Sequence, residues 1–244
     1  MMKIGIVAAV RDEAEPLASA LGLAWHDVAE GNYHLWQSAD GSVLLITPGE
    51  DGAFKTSKGG PVGRPGKVSA AVTTTILIER YKPDVIINAG TAAGIAAKGI
   101  QVGDIVVADY VANHDIHIPL PGYDEYGARK IPLHQLDALD HIQLPYKRGT
   151  VSSAESFTST HDEWQTIAAN DVMAKEMEAA GVMQAVQILG YTKPVYIVKA
   201  LTDQESENSS DEAQASDYSH NFQIAMDALT AFIRELVNAL GTNA

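Results

Sequence analysis

The chain has 244 residues, 46% of them hydrophobic, and 17 basic against 31 acidic side chains leave a formal charge of −14. Such a balance repels phosphate backbones and anionic membranes, so nucleic acid is excluded as a partner while small ligands without phosphate stay open. The chain contains no cysteine, which excludes disulfides, thiolate catalysis and cysteine-bound metals and fits a reducing, cytoplasmic setting.

The N-terminal stretch MMKIGIVAAVRDEAEPL meets charge too soon for a signal peptide. No segment approaches the roughly 18 apolar residues of a membrane span. Lys3–Val10 reads as a buried parallel strand and Ala14–Leu21 as the helix after it. Between them lies Glu13, at the strand edge where open α/β sheets place ligands, although an ordinary first-turn helix acid reads the same way. No G-x-G-x-x-G follows, so there is no dinucleotide fingerprint. His34–Ser38 and Val43–Thr47 flank Ala39-Asp40-Gly41 as a hairpin. From Pro48 to Gly66 the glycine-rich segment lacks P-loop spacing and is expected to be an irregular surface loop. Lys67–Arg80 is expected to be helical with Val68, Val72, Thr75 and Ile76 on its apolar side, despite three threonines in a row.

Pro83-Asp84 precedes the apolar strand VIINAG, which runs into GTAAGI as a tight turn carrying Thr91 and Ala92. Ile105–Tyr110 is a further strand. His114, Asp115 and His117 beyond it have poor spacing for zinc, and no metal or cofactor site is expected. The segment 114–126 combines fixed prolines with Ile118, Leu120, Tyr123 and Tyr126, which suits a pocket wall or a subunit contact. A two-stranded ribbon is expected around residues 130–150, and Gly149–Ser153 reads as a strand. Past its end Phe157 could stack on a flat ligand or belong to the core. In VMAKEMEAAGVMQAVQILG, Lys175, Glu176 and Glu178 are expected to open a helix whose apolar face is Ala179, Val182, Val186 and Leu189. Glycine and proline then lead into the strand Val195–Val198, which continues to Lys199 and Asp203. Ser209 and Glu212 have capping-box spacing, and Phe222 to Leu240 continues as an amphipathic helix. The alternation of strands and helices makes this an α/β fold with a mostly parallel sheet, and no linker divides residues 1–244.

Four stretches, KIGIVAAVRDE, KPDVIINAGTAAG, AKEMEAAGV and IVKALTD, together resemble the purine and uridine phosphorylase superfamily. Within it they are most similar to the 5′-methylthioadenosine/S-adenosylhomocysteine nucleosidases, and HDIHIPLPGYDEYG resembles the plant-type members. The resemblance implies a three-layer sandwich around a twisted mixed sheet, a homodimer, a small nucleoside substrate and no cofactor. It implies that Glu13 activates the attacking water and that Asp203 protonates, or hydrogen-bonds to, N7 of adenine. By the same resemblance Glu178 binds the ribose, with Met177 against the sugar and Glu176 nearby. Phe157 stacks on the base, Thr158 holds its edge through the backbone, and Thr91 and Ala92 lie beside water and sugar. Lys199 stands where many members have arginine, as a supporting residue. Ile118, Pro119 and Leu120 would close the 5′ end of the partner subunit's pocket and favour a methylthio group over a charged amino-acid tail.

The chemistry suits these residue types. Breaking a purine N-glycosidic bond places negative charge on the base, which a proton donor relieves, and positive charge on the sugar, which a carboxylate steadies. The first half of the chain holds only Arg11, Arg64 and Arg80, none in a phosphate-binding pattern, so water is expected as the nucleophile. Hydrolysis of aminofutalosine or another adenosine derivative, phosphorolysis, and a non-catalytic nucleoside-binding role are the alternatives.

Overall fold

In the computed structural model, which describes residues 2–57, 59–134 and 136–242, the chain opens on the buried strand β1 (Ile4–Val7) and turns at once into α1 (Arg11–Ala20). Three strands follow, β2 (Ala24–His26), β3 (His34–Gln37) and β4 (Val43–Thr47), then β5 (Glu50–Lys55) and β6 (Pro61–Gly63). Helix α2 (Lys67–Ile76) continues as a π-helical turn, Leu77–Tyr81, before β7 (Val85–Ile95) and β8 (Ile105–Asn113). The short α3 (Tyr123–Ala128) precedes β9 (Lys130–Pro132) and β10 (Lys147–Ser153). The chain ends through α4 (His161–Ala169), β11 (Val172–Glu176), α5 (Ala179–Ile188), β12 (Val195–Glu205) and the 32-residue α6 (Asp211–Thr242).

The main sheet runs β11-β10-β8-β12-β7-β1-β4-β3-β2, with β9 on β8. The pairs β1–β4, β1–β7, β7–β12, β8–β10 and β10–β11 are parallel, whereas β8–β12 and the β2–β3–β4 edge are antiparallel. The sheet is therefore mixed and mostly parallel through its centre. β11 also meets β7 antiparallel at Lys175↔Ala93, so β7, β12, β8, β10 and β11 close on themselves at one end. α1 packs beside α6, and α2 beside α5, with sheet strands between these helix pairs. The strand interiors are Val, Ile and Leu runs, as expected of strands covered on both faces, and Ile6, Ile87 and Val107 are fully buried.

Several expectations need correction. Lys175 and Glu176 do not open a helix: they end strand β11, and α5 starts at Ala179, just after Glu178. Val172 to Glu176 pairs with β10, so a ladder partner overrides the local helical pattern. The 48–66 segment is not irregular, since β5 and β6 pair as an antiparallel ribbon. Among the described residues no ribbon joins residues 130 and 150: β9 and β10 each pair with β8. Thr91 and Ala92 lie in strand, not in a turn, because β7 pairs with β12 as far as Ile95. On α2 it is Ala70, Thr73 and Thr74 that are buried, while Val68 and Val72 are exposed. At the start of α6 the capping oxygen is that of Ser210, which accepts from Ala213 N, rather than that of Ser209.

Candidate active site

Glu13 sits in the first turn of α1, only 3% exposed, where β1 delivers the chain to the mouth of the sheet. Its Oε1 accepts from Thr91 N at 2.7 Å and Thr91 Oγ1 at 2.8 Å, and its Oε2 from Ala9 N at 3.3 Å. The backbone next to Thr91 approaches closely: a Cβ on Gly90 would stand 3.1 Å from the Glu13 carboxylate, which would have to give by a few tenths of an ångström. The small residues of the β7 run therefore let a helix carboxylate dock on a strand.

Glu178 lies between β11 and α5, buried, with Oε1 accepting from Gly66 N at 3.0 Å at the start of α2. Burial pushes its carboxyl up to about 7, although Lys199 pulls the other way. Glu176 is held differently. Burial acts to raise it, but Lys199 Nζ at 2.7 Å, the Ser153 hydroxyl and the Ala179 N–H outweigh that and keep it below the ordinary value. Its oxygens also receive Glu178 N, so Glu176 ties the start of α5 in place and is occupied by protein donors. Lys199 is fully buried, stands 3.7 Å from Glu178, and stays above its ordinary value because the two glutamates and Glu13 outweigh burial. It lies behind the carboxylates and does not line the cavity.

Asp203 comes from β12 where Thr202 forms a bulge, an extra residue between the pairs Leu201↔Ala92 and Asp203↔Ala93. Its Oδ1 accepts from Thr202 Oγ1 at 2.6 Å, while Oδ2 is buried and receives no hydrogen bond. Burial raises its pKa, and the Thr202 hydroxyl offsets part of that effect.

These groups meet around one cavity of about 260 Å³. Of the residues anticipated from sequence, Glu13, Thr91, Ala92, Phe157, Glu176, Met177, Glu178 and Asp203 line it. Thr158 and Lys199 do not, nor do Ile118, Pro119 and Leu120 in their own subunit. Phe157 is 42% exposed and meets the Tyr218 ring edge-on, with centroids 5.9 Å apart. Sequence reading missed Tyr218, His114, Lys175 and Glu205 as lining residues. A signal existed for Glu205: on a strand it shares a face with Asp203 two residues earlier. Burial and Lys175 push His114 down to about 4, so it is neutral; its Nδ1 meets Ser152 Oγ at 3.0 Å and its Nε2 has no partner.

Among the described residues no arginine lines the cavity. Arg11 pairs with Glu15 at 2.6 Å, Arg64 stands 3.8 Å from Asp51, and Arg80 is 3.9 Å from Glu30. Metal ligation has no cluster of three His, Asp or Glu side chains to draw on among those residues. Nor is any of their helices long and apolar enough to cross a membrane. What the cavity offers is acid–base chemistry on a small polar ligand with a flat, stackable part.

Comparison with known proteins gives a consistent picture. Residues 3–238 match the family model described as the phosphorylase superfamily. A 5′-methylthioadenosine nucleosidase of Arabidopsis thaliana is 30% identical over 95% of this chain and 85% of its own length. A 5′-methylthioadenosine/S-adenosylhomocysteine nucleosidase of Bacillus pumilus is 31% identical over 83% of this chain and 86% of its own. The apo structure of Arabidopsis thaliana 5′-methylthioadenosine nucleosidase superposes with a TM-score of 0.86 at 28% identity, covering 98% of this chain and 95% of that one.

Proposed function

Because the chain belongs to the phosphorylase superfamily and, within it, to the 5′-methylthioadenosine/S-adenosylhomocysteine nucleosidases, we infer that it is a purine nucleoside N-ribohydrolase. It hydrolyses 5′-methylthioadenosine to adenine and the methylthio sugar. The observation that carries the reading is the meeting of three buried carboxyls, Glu13, Glu178 and Asp203, from three separate elements around one cavity.

In our reading the base lies against the edge-on pair Phe157 and Tyr218, and Asp203 gives a proton to N7 as the C1′–N9 bond breaks and its electron pair passes to the base. Positive charge then develops on the sugar. Glu178 accepts hydrogen bonds from ribose hydroxyls, and charge-assisted bonds of this kind are the strong ones. Water attacks C1′, and Glu13, fixed by three donors, takes its proton. The distribution of the arginines supports water over phosphate, since those of the first half are engaged elsewhere. We also propose that the protein is a cytoplasmic homodimer, in which Ile118, Pro119 and Leu120 close the 5′ end of the partner's cavity. The exposure of Leu120 and Tyr123 supports a covered surface there.

Purified protein supplied with 5′-methylthioadenosine should release adenine at the same rate with and without phosphate. A sugar 1-phosphate as the main product would overturn the hydrolytic reading.

A further inference from the structure

The mechanism above leaves one buried acid without a task. Glu205 is 1% exposed, lines the cavity beside Asp203, and receives no hydrogen bond from a neutral donor at either oxygen. Among the described residues its cationic neighbour is Lys175 Nζ, 2.7 Å from Oε2, itself 3% exposed. The sheet enforces this grouping. Lys175 on β11 and Asp203 on β12 both register with Ala93 on β7, so the three residues form one row, and Glu205 follows Asp203 on the same strand face. The Lys175 ammonium also donates to Phe157 O at 2.8 Å and Ser159 Oγ at 3.3 Å, which holds it at the base end of the cavity.

Resting on the hydrolytic reading, we propose that Glu205 is a positioning residue for the catalytic proton: with Asp203 it forms a carboxyl pair that, balanced by Lys175, retains one proton at neutral pH. Two carboxylates beside a single ammonium would leave an uncompensated negative charge on side chains almost wholly buried, and a buried pair avoids that by keeping one proton. The proton belongs to the pair rather than to either residue. Burial raises both groups, and burial together with the contact to Asp203, against the pull of Lys175, brings Glu205 to about 7, while the same contact lowers Asp203.

Among the described residues the surrounding groups do not supply a second cation. His114, at the end of β8, is neutral, and Asp217 on α6 adds negative charge. The Tyr218 hydroxyl, also on α6, is raised by burial and by Glu13 and stays protonated. Glu176 on β11 is matched to Lys199, and Glu13 and Glu178 belong to the sugar end. During turnover the shared proton moves to N7 as the glycosidic electron pair enters the base. The pair is left doubly ionised against Lys175 and regains its proton from water once adenine leaves.

Two measurements test the proposal on the intact protein. The first is kcat/KM for 5′-methylthioadenosine against pH. Glu205→Gln removes the shared proton and leaves Lys175 to ionise Asp203, so the basic limb should move down by a unit or more. Activity at pH 8 should then fall at least about tenfold further than at pH 5.5. Lys175→Met should move the same limb upward, and Lys175→Met with Glu205→Gln should bring it back towards the parent. A uniform loss across pH, or an unmoved limb, would overturn the idea. The second is infrared spectroscopy of the ligand-free protein at pH 7, which needs no turnover. A protonated-carboxyl band should be lost in both Glu205→Gln and Asp203→Asn, and a band unchanged in both would also overturn it. Failure of the parent protein to release adenine would count against the hydrolytic reading, while the infrared result would still decide the pair.

Discussion

At the scale of single residues, the carboxyls of the site differ in how fully protein donors occupy them. Glu176 is surrounded by donors and anchors α5, whereas Asp203 keeps one oxygen bare. Asp203→Asn should retain binding but lose the transferable proton, lowering kcat by about 10²–10⁴-fold. Glu13→Gln should lower kcat comparably with little change in ligand affinity, because the proposed mechanism has it act on water. Single-turnover assays with an adenine-binding control check both, and near-normal turnover in either would remove its assigned role. The unliganded fold should also record these acids in its stability. A carboxyl whose folded pKa lies above its unfolded value stabilises the fold below the unfolded pKa, and that stabilisation is lost as pH rises through the folded one. Burial places Glu178 and Glu205 in this class, both at about 7. His114, held down near 4, contributes stability that is lost as pH falls below the ordinary histidine range, so it offsets part of the gain only there. Tm should therefore be higher at pH 6.5 than at pH 8, and Glu178→Gln should flatten the rise. A Tm that falls between those pH values would show that the buried acids are ionised and fully compensated.

At the scale of elements, the sheet and Glu178 depend on helix positions that approach very closely. A Cβ on Gly181 of α5 would stand 2.1 Å from the Lys67 carbonyl oxygen on α2, a backbone atom that cannot swing away. Gly181→Ala should cost about 1–3 kcal/mol of stability, the usual range for overpacking. It should also raise KM, because the displaced turn includes Gly66, whose N–H holds Glu178. Thermal melts and steady-state kinetics test both effects, and an unchanged KM would uncouple α2 from the sugar site. Much of this architecture was legible in the chain: strand runs such as VIINAG and the amphipathic spacing from Phe222 to Leu240 carry their structure locally. β11 was not. Val172 to Glu176 continues without a breaker into a strong helical pattern, and only pairing with β10 makes it a strand. The lining of the cavity was legible where residue type and motif mark a position, as for Glu13, Glu178 and Asp203, all three of which border it. It was not legible for Tyr218 and His114, which distant elements bring to the cavity. Lys175 was read on the wrong element, and its meeting with Glu205 depends on the row through Ala93.

At the scale of the whole molecule, the charge of −14 and the exposed apolar side chains act in opposite directions on association. Val68 and Val72 on α2 are exposed, and the Lys67–Asp115 ion pair ties that helix to the segment leading to exposed Leu120 and Tyr123. If this surface joins two copies, added salt should tighten the dimer by screening like charge. Leu120→Asp should weaken it and raise KM for 5′-methylthioadenosine. Sedimentation at micromolar concentration, with activity measured alongside, is the check, and a fully active monomer would remove the proposed partner contact. The three tryptophans are distributed unequally about this frame. Trp25 and Trp36 stack edge-on at the β2–β3 margin, whereas Trp164 of α4 is 9% exposed with the Lys175 ammonium 6.0 Å from its ring. A fixed cation beside an indole shifts the colour of its emission, so the base end of the cavity has an intrinsic optical reporter. Adenine binding should alter the emission of the parent protein and of Trp25→Phe equally, and the change should vanish in Trp164→Phe. Ligand binding could then be followed by light alone, with no label attached.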